Sequence, residues 1–391
     1  MIITTSLLSV ISSAINVMGH LGWNQLNNHV LPIASWLSIF TLSVGPAWGQ
    51  ITSAGSTNIS TDGAQIQVTG GIQSADGANL FHQFGTFNVD ATETVTFIAP
   101  DPVENVLGRV NAGAASIIDG GLVVSNSANL WLLNPAGILF GPSAHLNLQG
   151  DFSATTADAI GFEQGLFTDD ANYPALTGAP HNLAFISSPG SLINLGNLQV
   201  APGQTLRLLG GSVINAGTLD APEGTITVIA VAEPSQVNLN QAGQVLALEI
   251  EPWTNNTPIT DLTPMSLPAL LTGHGGEYAD MLTVDPDGTV RLTQTAGSIL
   301  PEAGHVTVSG NVTSTGEHGG HIAVLGTQVS LMDATVTADG VNQGGHIYIG
   351  GNYQGAGPLP NASQTWVDRG TVLSANALRQ VQGGEVIVWS D

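Results

Sequence analysis

The residue types that most often carry out catalysis are few and scattered in this chain. Two adjacent carboxylates occur at Asp169-Asp170, a histidine stands alone at His274, and a TWVDRG run surrounds Asp368-Arg369. Clustered acids with a nearby base would suit calcium binding or the acid–base cleavage of polysaccharides. Each of these groups instead stands in its own loop-like stretch containing Pro, Asn or Gly. The sequence therefore predicts solvated loops and no catalytic residue.

Composition removes further classes of function. The chain contains no cysteine, which excludes disulfides, thiolate metal sites and a cysteine nucleophile. No repeated calcium-binding loop is present, and neither a metal nor a cofactor is expected. The formal net charge is −24, with five basic residues against 29 acidic ones. A surface of that sign repels nucleic acid and anionic lipid, so neither is expected as a partner.

The first 49 residues are typical of a targeting segment. Residues 30–44, VLPIASWLSIFTLSV, form an apolar run that is too short for a transmembrane span and suits the core of a signal peptide. The small residues Ala47 and Gly49 predict cleavage that leaves Gln50 as the first mature residue. No Lys or Arg precedes Arg109, so Met18 is an alternative initiator. A buried N-terminal hairpin or helix is the alternative interpretation of the segment.

After residue 50 the chain consists of short runs that alternate apolar and polar residues, a pattern typical of half-buried strands. These runs repeat along the sequence. Leu206 aligns with Ile226 at a spacing of 20 residues, and Ile322 aligns with Ile347 at a spacing of 25. The run GGEVIVW near the C-terminus is a further copy. Coils of this length, none of which buries its apolar face alone, predict a parallel β-helix.

The predicted fold class is therefore all-β: a single-stranded solenoid of the parallel β-helix type, with loop insertions that leave the helix. About 12 to 15 coils are expected, stacked at ~4.8 Å per coil. A pair of β-sandwiches is the alternative. It rests on Asp62-Gly63, Asp76-Gly77 and Asp287-Gly288, each of which could form the two-residue turn of an antiparallel hairpin.

Four collinear stretches resemble one known family. They are ANLFHQFGTFNV (78–89), NVLGRV (105–110), NLWLLNPAGILFGPSAHLNLQGDFSATTADAIGF (129–162) and GGSVINAGTLDAPEGTITVIAV (210–231). Together they resemble the haemagglutination activity domain found at the N-terminus of filamentous haemagglutinins. That domain is the secretion domain of exoproteins exported by the two-partner pathway. The resemblance covers about residues 50–251, and the wording is most similar to cyanobacterial members.

The resemblance implies a right-handed parallel β-helix and a route of export. A member of this family docks, still unfolded, on the periplasmic POTRA domains of a dedicated outer-membrane β-barrel transporter, and folds outside the cell. The family's Asn-Pro-Asn-Gly-Ile motif corresponds here to Asn134, Pro135, Gly137 and Ile138, with Ala136 in place of the second Asn. The resemblance therefore implies that these residues contact the transporter. The family's upstream Asn-Pro-Asn-Leu motif has no counterpart here.

The Asn-Pro-x-Gly-Ile motif and the NLFHQF stretch at residues 79–84 also have a structural interpretation. Pro fixes φ and Gly tolerates positive φ, so residues 134–137 also predict a tight corner between two strands. Phe81, Phe84 and Phe87 recur every three residues and are expected to form a core-and-cap motif at the N-terminal end of the helix. His82 is expected to be a satisfied structural histidine. A corner and a linear recognition segment are compatible roles.

The predicted organisation has four parts: a signal peptide (1–49), a two-partner secretion domain (50–251), a proline-rich insertion (252–276) and a β-helix repeat region (277–391) that is expected to be truncated. The predicted function is that of a secreted or cell-surface exoprotein, not an enzyme. Its rod would adhere to glycans or proteins of a host or neighbouring cell. An extracellular polysaccharide lyase or hydrolase on the same fold, and a structural surface-layer rod, are the alternatives.

Overall fold

The computed structural model describes residues 51–187, 189–232, 235–239, 250–252, 281–284, 290–293, 298–299, 302–379 and 382–391. All of them fall within one compact unit of the chain. Several predicted features lie outside the described residues: Met18, the signal segment 1–49 with Ala47 and Gly49, Gln50, residues 253–276 of the proline-rich insertion, and His274.

Short strands recur in groups of three, and each group makes one coil. In a typical coil the chain passes from sheet A to sheet C and then to sheet B before it enters the next coil. Sheet A has the spatial order β1 (Ser53–Ala54), β5 (Asn79–Phe84), β7 (Asn105–Val110), β10 (Asn129–Leu133), β13 (Phe152–Thr155), β19 (Thr205–Gly210), β22 (Thr225–Ala230), β31 (His321–Leu325), β35 (His346–Ile349) and β38 (Glu385–Val388), and β4 (Ile72–Gln73) also pairs with β5.

The other two sides of the coil are built in the same way. Sheet C has the order β8 (Ser116–Ile118), β11 (Ile138–Phe140), β17 (Ser191–Asn194), β20 (Ser212–Asn215), β28 (His305–Val308), β32 (Gln328–Leu331) and β36 (Gln364–Val367). Sheet B has the order β2 (Thr57–Asp62), β3 (Gln65–Gly70), β6 (Thr94–Phe97), β9 (Gly121–Val124), β12 (His145–Asn147), β18 (Asn197–Gln199), β21 (Thr218–Asp220), β29 (Asn311–Thr313), β33 (Thr335–Thr337) and β37 (Val372–Ser374).

Neighbouring coils pair in parallel and in register, which confirms the predicted all-β parallel β-helix. Leu206 lies opposite Ile226, and Ile322 lies opposite Ile347, as the repeat predicted. Every second side chain of a strand points into the coil, and the inward residues form one continuous core of Val, Ile, Leu and Phe. The pair of β-sandwiches is therefore wrong for the stacked coils.

The number of coils is smaller than predicted. In the described residues sheet A has nine parallel strands, from β5 to β38, instead of the 12 to 15 coils expected. The difference arises because two parts of the chain leave the helix between a sheet A strand and the next sheet C strand, after β13 and after β22. Their strands pair with one another and add no coil.

We call the part of the chain between β13 and β17 the first excursion and the part between β22 and β28 the second. Strands from both excursions form an antiparallel sheet D outside the helix. Its order is β15 (Gly165–Phe167), β14 (Ala159–Phe162), β16 (Asn182–Phe185), β23 (Ser235–Asn238) and β24 (Ile250–Pro252). Apolar residues of sheet D pack with the outward residues of sheet A in a second core. Sheet A is thus covered on both faces, which explains why strands such as NLWLL are continuously apolar rather than alternating.

The N-terminal end of the helix is closed by antiparallel strands. β2 pairs antiparallel with β3, while β1 and β4 pair antiparallel with β5. We call β1, β2 and β4 the N-terminal cap. Asp62 ends β2 and Gly63 begins the two-residue turn of the β2–β3 hairpin, and Asp76-Gly77 lies in the connection from β4 to β5. The hairpin signals were therefore correct locally, although Asp287-Gly288 lies outside the described residues.

The remaining elements are short. A three-stranded antiparallel sheet contains β25 (Met281–Val284), β26 (Val290–Thr293) and β27 (Ser298–Ile299), and a parallel pair joins β30 (Gly316–His318) to β34 (Gly340–Gln343). Two 3-10 turns occur at Tyr173–Ala175 and Tyr353–Gly355. β36 corrects one expectation: the TWVDRG run was predicted to lie in a solvated loop, but its first three residues belong to β36, a regular sheet C strand paired with β32.

Candidate partner-recognition segments

The segment that matches the Asn-Pro-x-Gly-Ile motif forms the corner between β10 and β11. The backbone N–H of Gly137 donates to the carbonyl of Asn134 at 3.1 Å, which closes the turn. Gly137 has φ 125°, a value that a side chain would strain. Pro135 occupies the second position, where its fixed φ suits the turn. The predicted tight corner between these two strands is present.

The side chain of Asn134 is consumed by this corner. Its Nδ2 donates to the carbonyl of Ala114 and to Ser116 Oγ, both at 3.0 Å, and its Oδ1 accepts the N–H of Ala136 at 3.0 Å. The residue is 1% exposed. Ala114 and Ser116 belong to the preceding coil, so the side-chain amide of Asn134 links its own corner to the adjacent corner of that coil by hydrogen bonds.

The coil above covers the same corner from its other side. The N–H of Gly190 donates to the carbonyl of Pro135 at 2.9 Å, and a Cβ added to Gly190 would lie 2.6 Å from the nitrogen of Gly137. Ile138 points into the helix and is 1% exposed. Only Pro135 and Ala136 are half-buried. The folded protein therefore presents little of this motif to any partner.

The second motif, NLFHQF, is the strand β5 of the first complete coil. Its inward residues Leu80 and Phe84 join the inner core, where Phe84 contacts Phe87 at 4.9 Å between ring centroids. Phe87 and Phe97 stack at 6.1 Å. Of the three phenylalanines named from the sequence, Phe84 and Phe87 thus lie in the inner core of the first coil, whereas Phe81 faces outward. They are buried beside the cap strands and are not part of the cap itself.

The outward residues of β5 hold the first excursion against sheet A. The Phe81 ring stacks on the Tyr173 ring at 5.3 Å between centroids and meets Phe167 at 5.0 Å. Gln83 Nε2 donates to the Tyr173 hydroxyl at 2.5 Å and to the carbonyl of Asp169 at 2.9 Å. Both faces of the motif are thus occupied, one by the inner core and one by the excursion.

Charge also fixes the excursion. Arg109 Nε forms an ion pair with the Asp169 carboxylate, and Arg109 Nη1 donates to the carbonyl of Asp158. Burial, together with a smaller effect of the negative charge of Asp169, raises the pKa of the Tyr173 phenol to about 12. Asp169 lies in an exposed turn, in agreement with the predicted solvated loop, but it also has a partner, because Arg109 reaches it from the second coil. Asp170 is exposed, as expected.

A column of three asparagines, two buried and one half-buried, was missed by the sequence analysis. Asn105 Nδ2 donates to Asn79 Oδ1, and Asn129 Nδ2 donates to Asn105 Oδ1, both at 2.9 Å. Asn79 Nδ2 in turn donates to the carbonyls of Leu176 and Gly178 in the excursion. The signal was available, because the same residue type begins three successive sheet A strands.

The remaining candidates for chemistry are structural. Asp368 Oδ1 accepts from the N–H and hydroxyl of Thr371, and its Oδ2 accepts from the N–H of Asp333. Burial alone would raise the pKa of Asp368, but these hydrogen bonds together lower it below the ordinary value. Arg369 is exposed. Across the described ranges, no three His, Asp or Glu side chains gather where they could hold a metal ion.

Fold and site together define the class: a β-helical protein whose motif residues serve its own packing, with no metal-holding group in the part that the structure describes. The family model described as TPS secretion domain matches residues 49–257, more than half of the chain. The chain therefore belongs to the two-partner secretion domain family. The members of this family are secretion domains and not enzymes, in agreement with the function class expected from the sequence.

Two solved structures are similar to this chain. One is the secretion domain of HMW1 from Haemophilus influenzae, with 19% identity, coverage of 87% of this chain and 86% of that chain, and a TM-score of 0.46. The other is the filamentous hemagglutinin secretion domain, with 16% identity, coverage of 86% and 97%, and a TM-score of 0.44. No curated protein sequence matches the chain. Among the described residues, no helix has the length and apolar content needed to cross a membrane.

Proposed function

We propose that this chain is the exported member of a two-partner secretion pair. Its N-terminal domain directs passage through an outer-membrane β-barrel transporter that carries POTRA domains. The folded β-helix is then secreted or held at the cell surface, where it adheres to glycans or proteins of a host or neighbouring cell. The match of residues 49–257 to the secretion domain carries the proposal. The absence of cysteine supports it, because no disulfide can lock the unfolded chain in an oxidising compartment.

The same proposal assigns the parts of the chain. Residues 1–49 are the signal peptide for the first membrane, and cleavage before Gln50 releases the mature chain. Residues 50–251 are the secretion domain. The proline-rich insertion 252–276 separates it from the β-helix repeat region 277–391, which extends the surface available for adhesion.

We further propose that the transporter reads Asn134, Pro135, Gly137 and Ile138 before the chain folds. The reason is accessibility: in the folded protein every polar atom of the Asn134 side chain has an internal partner, and Ile138 is in the core. An extended segment with an apolar alternation suits addition to the edge of a partner's sheet. Recognition and corner formation are then successive uses of the same residues.

A matched pair of asparagines makes this testable. Asn194 is fully buried in another corner of the secretion domain, where its Oδ1 accepts the N–H of Gly196 at 3.1 Å and its Nδ2 donates to Asn215 Oδ1 at 2.8 Å. Asn134 makes the same i to i+2 contact. Asn134→Ala removes three hydrogen bonds, and Asn194→Ala removes four, of which two are long at 3.4 Å. Each change is expected to cost about 2–4 kcal/mol.

The experiment measures the amount of chain exported through a co-expressed POTRA-bearing transporter, together with the urea stability of each purified variant. Asn134→Ala is expected to reduce export several-fold more than Asn194→Ala at similar stability. Gly137→Ala is expected to behave like Asn134→Ala. If export falls in proportion to stability for all three variants, the segment is a structural corner only and the recognition proposal fails.

A further inference from the structure

His82 is an ionisable residue inside the β-helix that neither packing nor export explains. It lies on the inward side of β5 and is fully buried. Its ring lies 6.3 Å from Phe84 and 6.0 Å from Phe97 between centroids. Nδ1 lies 3.4 Å from Thr57 Oγ1, whereas Nε2 has no hydrogen-bond partner in the part that the structure describes. The expectation of a satisfied histidine is therefore wrong for one of the two ring nitrogens.

Thr57 links this ring to the N-terminal cap. The residue lies on β2, and its Oγ1 accepts the backbone N–H of Gln83 at 2.9 Å, so its own proton is available for His82 Nδ1. Nδ1 then acts as the acceptor, and Nε2 carries the proton of the neutral ring. Gly71, which precedes β4, also lies against the ring: a Cβ there would lie 2.9 Å from His82 Cε1.

Among the residues that the structure describes, no charged group compensates a proton on this ring. The described groups that face it are Thr57, Gly71, Phe84 and Phe97, and none of them is charged at physiological pH. Arg109, the register partner of Gln83 on the next strand, points to the outer face, where it pairs with the excursion. The carboxylate of Asp76, the nearest charged residue in sequence, is bonded to Ser74, Ala78 and Gly178. Burial lowers the pKa of His82 from 6.5 to about 4. A protonated ring would bury a charge and a second N–H donor without an acceptor.

We propose that His82 makes the N-terminal cap acid-sensitive, so that protonation of the ring releases β1, β2 and β4 from the first coil. The sign follows from linkage: the neutral ring stabilises the closed cap fully above pH 6.5, and this stability is lost as the pH falls from 6.5 towards 4. Opening uncovers the edges of sheets A and B, which then become able to pair with other chains. The device acts in the folded protein and is independent of the proposed export route.

The test is amide hydrogen exchange of the full chain at several pH values, with protection factors corrected for intrinsic exchange. Between pH 7 and pH 4.5 the opening constant of the β2–β3 hairpin is expected to rise by about 60-fold, if the ring titrates at 6.5 when the cap is open. Amides of Leu132 and Ala154, in coils without a buried histidine nearby, are expected to keep their protection. Histidine ring NMR on the same samples gives the pKa of His82 directly.

His82→Asn is the diagnostic variant, because an amide oxygen can accept from Thr57 but does not titrate in this range. It is expected to abolish the pH response of the hairpin amides. The exposed His145→Asn is the matched control and is expected to leave that response unchanged. Hairpin protection that is the same at pH 7 and pH 4.5 in the wild type would overturn the proposal, as would a His82 pKa near 6.5. These two wild-type measurements decide the matter even if His82→Asn does not fold.

Discussion

Replacing Val324 by Asp tests whether the inward ladder of sheet A holds the coils together. Val324 is fully buried between its register partners Val228 and Ile349 on the neighbouring coils. Burial of such a side chain stabilises by about 1.5–3 kcal/mol. An aspartate there must stay neutral, and keeping a carboxyl of ordinary pKa about 3.9 protonated at pH 7 costs about 4 kcal/mol. The expected loss is therefore about 5–7 kcal/mol, comparable with the whole stability of many proteins, about 5–15 kcal/mol.

The assay is urea denaturation at pH 7 and pH 4.5. Thr327→Asp is the control, because Thr327 is exposed just beyond the same strand and its change is expected to cost less than about 0.5 kcal/mol. Relative to this control, Val324→Asp is expected to recover about 3 kcal/mol at pH 4.5, where the buried carboxyl is easier to protonate. If Val324→Asp does not fold at pH 7, Val324→Ala gives the loss of apolar burial alone. Equal stability of the two aspartate variants would refute the inward assignment of Val324.

Two further predictions concern the excursion and the start of the mature chain. Arg109→Gln is expected to cost only about 1 kcal/mol of stability, because half-exposed Asp169 is screened by water, but to speed protease cleavage within residues 163–180 several-fold. Unchanged cleavage would mean that the ion pair does not hold the excursion. Mass spectrometry of the exported protein is expected to find Gln50 at the N-terminus, and a chain that retains residues 30–44 would contradict the signal-peptide assignment.

The coil strands were predictable because the pattern that defines them, the alternation of apolar and polar residues, lies within a few consecutive residues. A strand with one face in a core must alternate, and stacked coils must repeat that alternation at the length of a coil. The register of Leu206 with Ile226 followed from two short stretches of sequence alone. The corner at residues 134–137 was predictable for the same reason, since the φ preferences of Pro135 and Gly137 act within one turn.

Sheet D was not predictable in this way. The stretches 159–167 and 182–185 have the length and apolar content of coil strands, and no local pattern shows that they pair with one another outside the helix. The number of coils was overestimated for that reason. The hydrogen-bond partners of polar side chains were not predictable either, because they are distant in sequence. Asn134 is hydrogen-bonded to residues 18 and 20 positions earlier, and Arg109 to a residue 60 positions later. A sequence gives the residue types of such pairs but not their proximity.

The two family motifs share a property that bears on how export could end. Asn134 uses both its Nδ2 and its Oδ1 inside the fold, and Phe81 and Gln83 are covered by the excursion. A transporter that binds these atoms in the unfolded chain therefore competes with the coils for them. If the proposed recognition holds, each coil that closes would remove part of the recognised segment from the transporter without an external source of energy. On the proposed function, folding outside the cell would then itself weaken the complex with the transporter, because the same side chains cannot satisfy both partners at once.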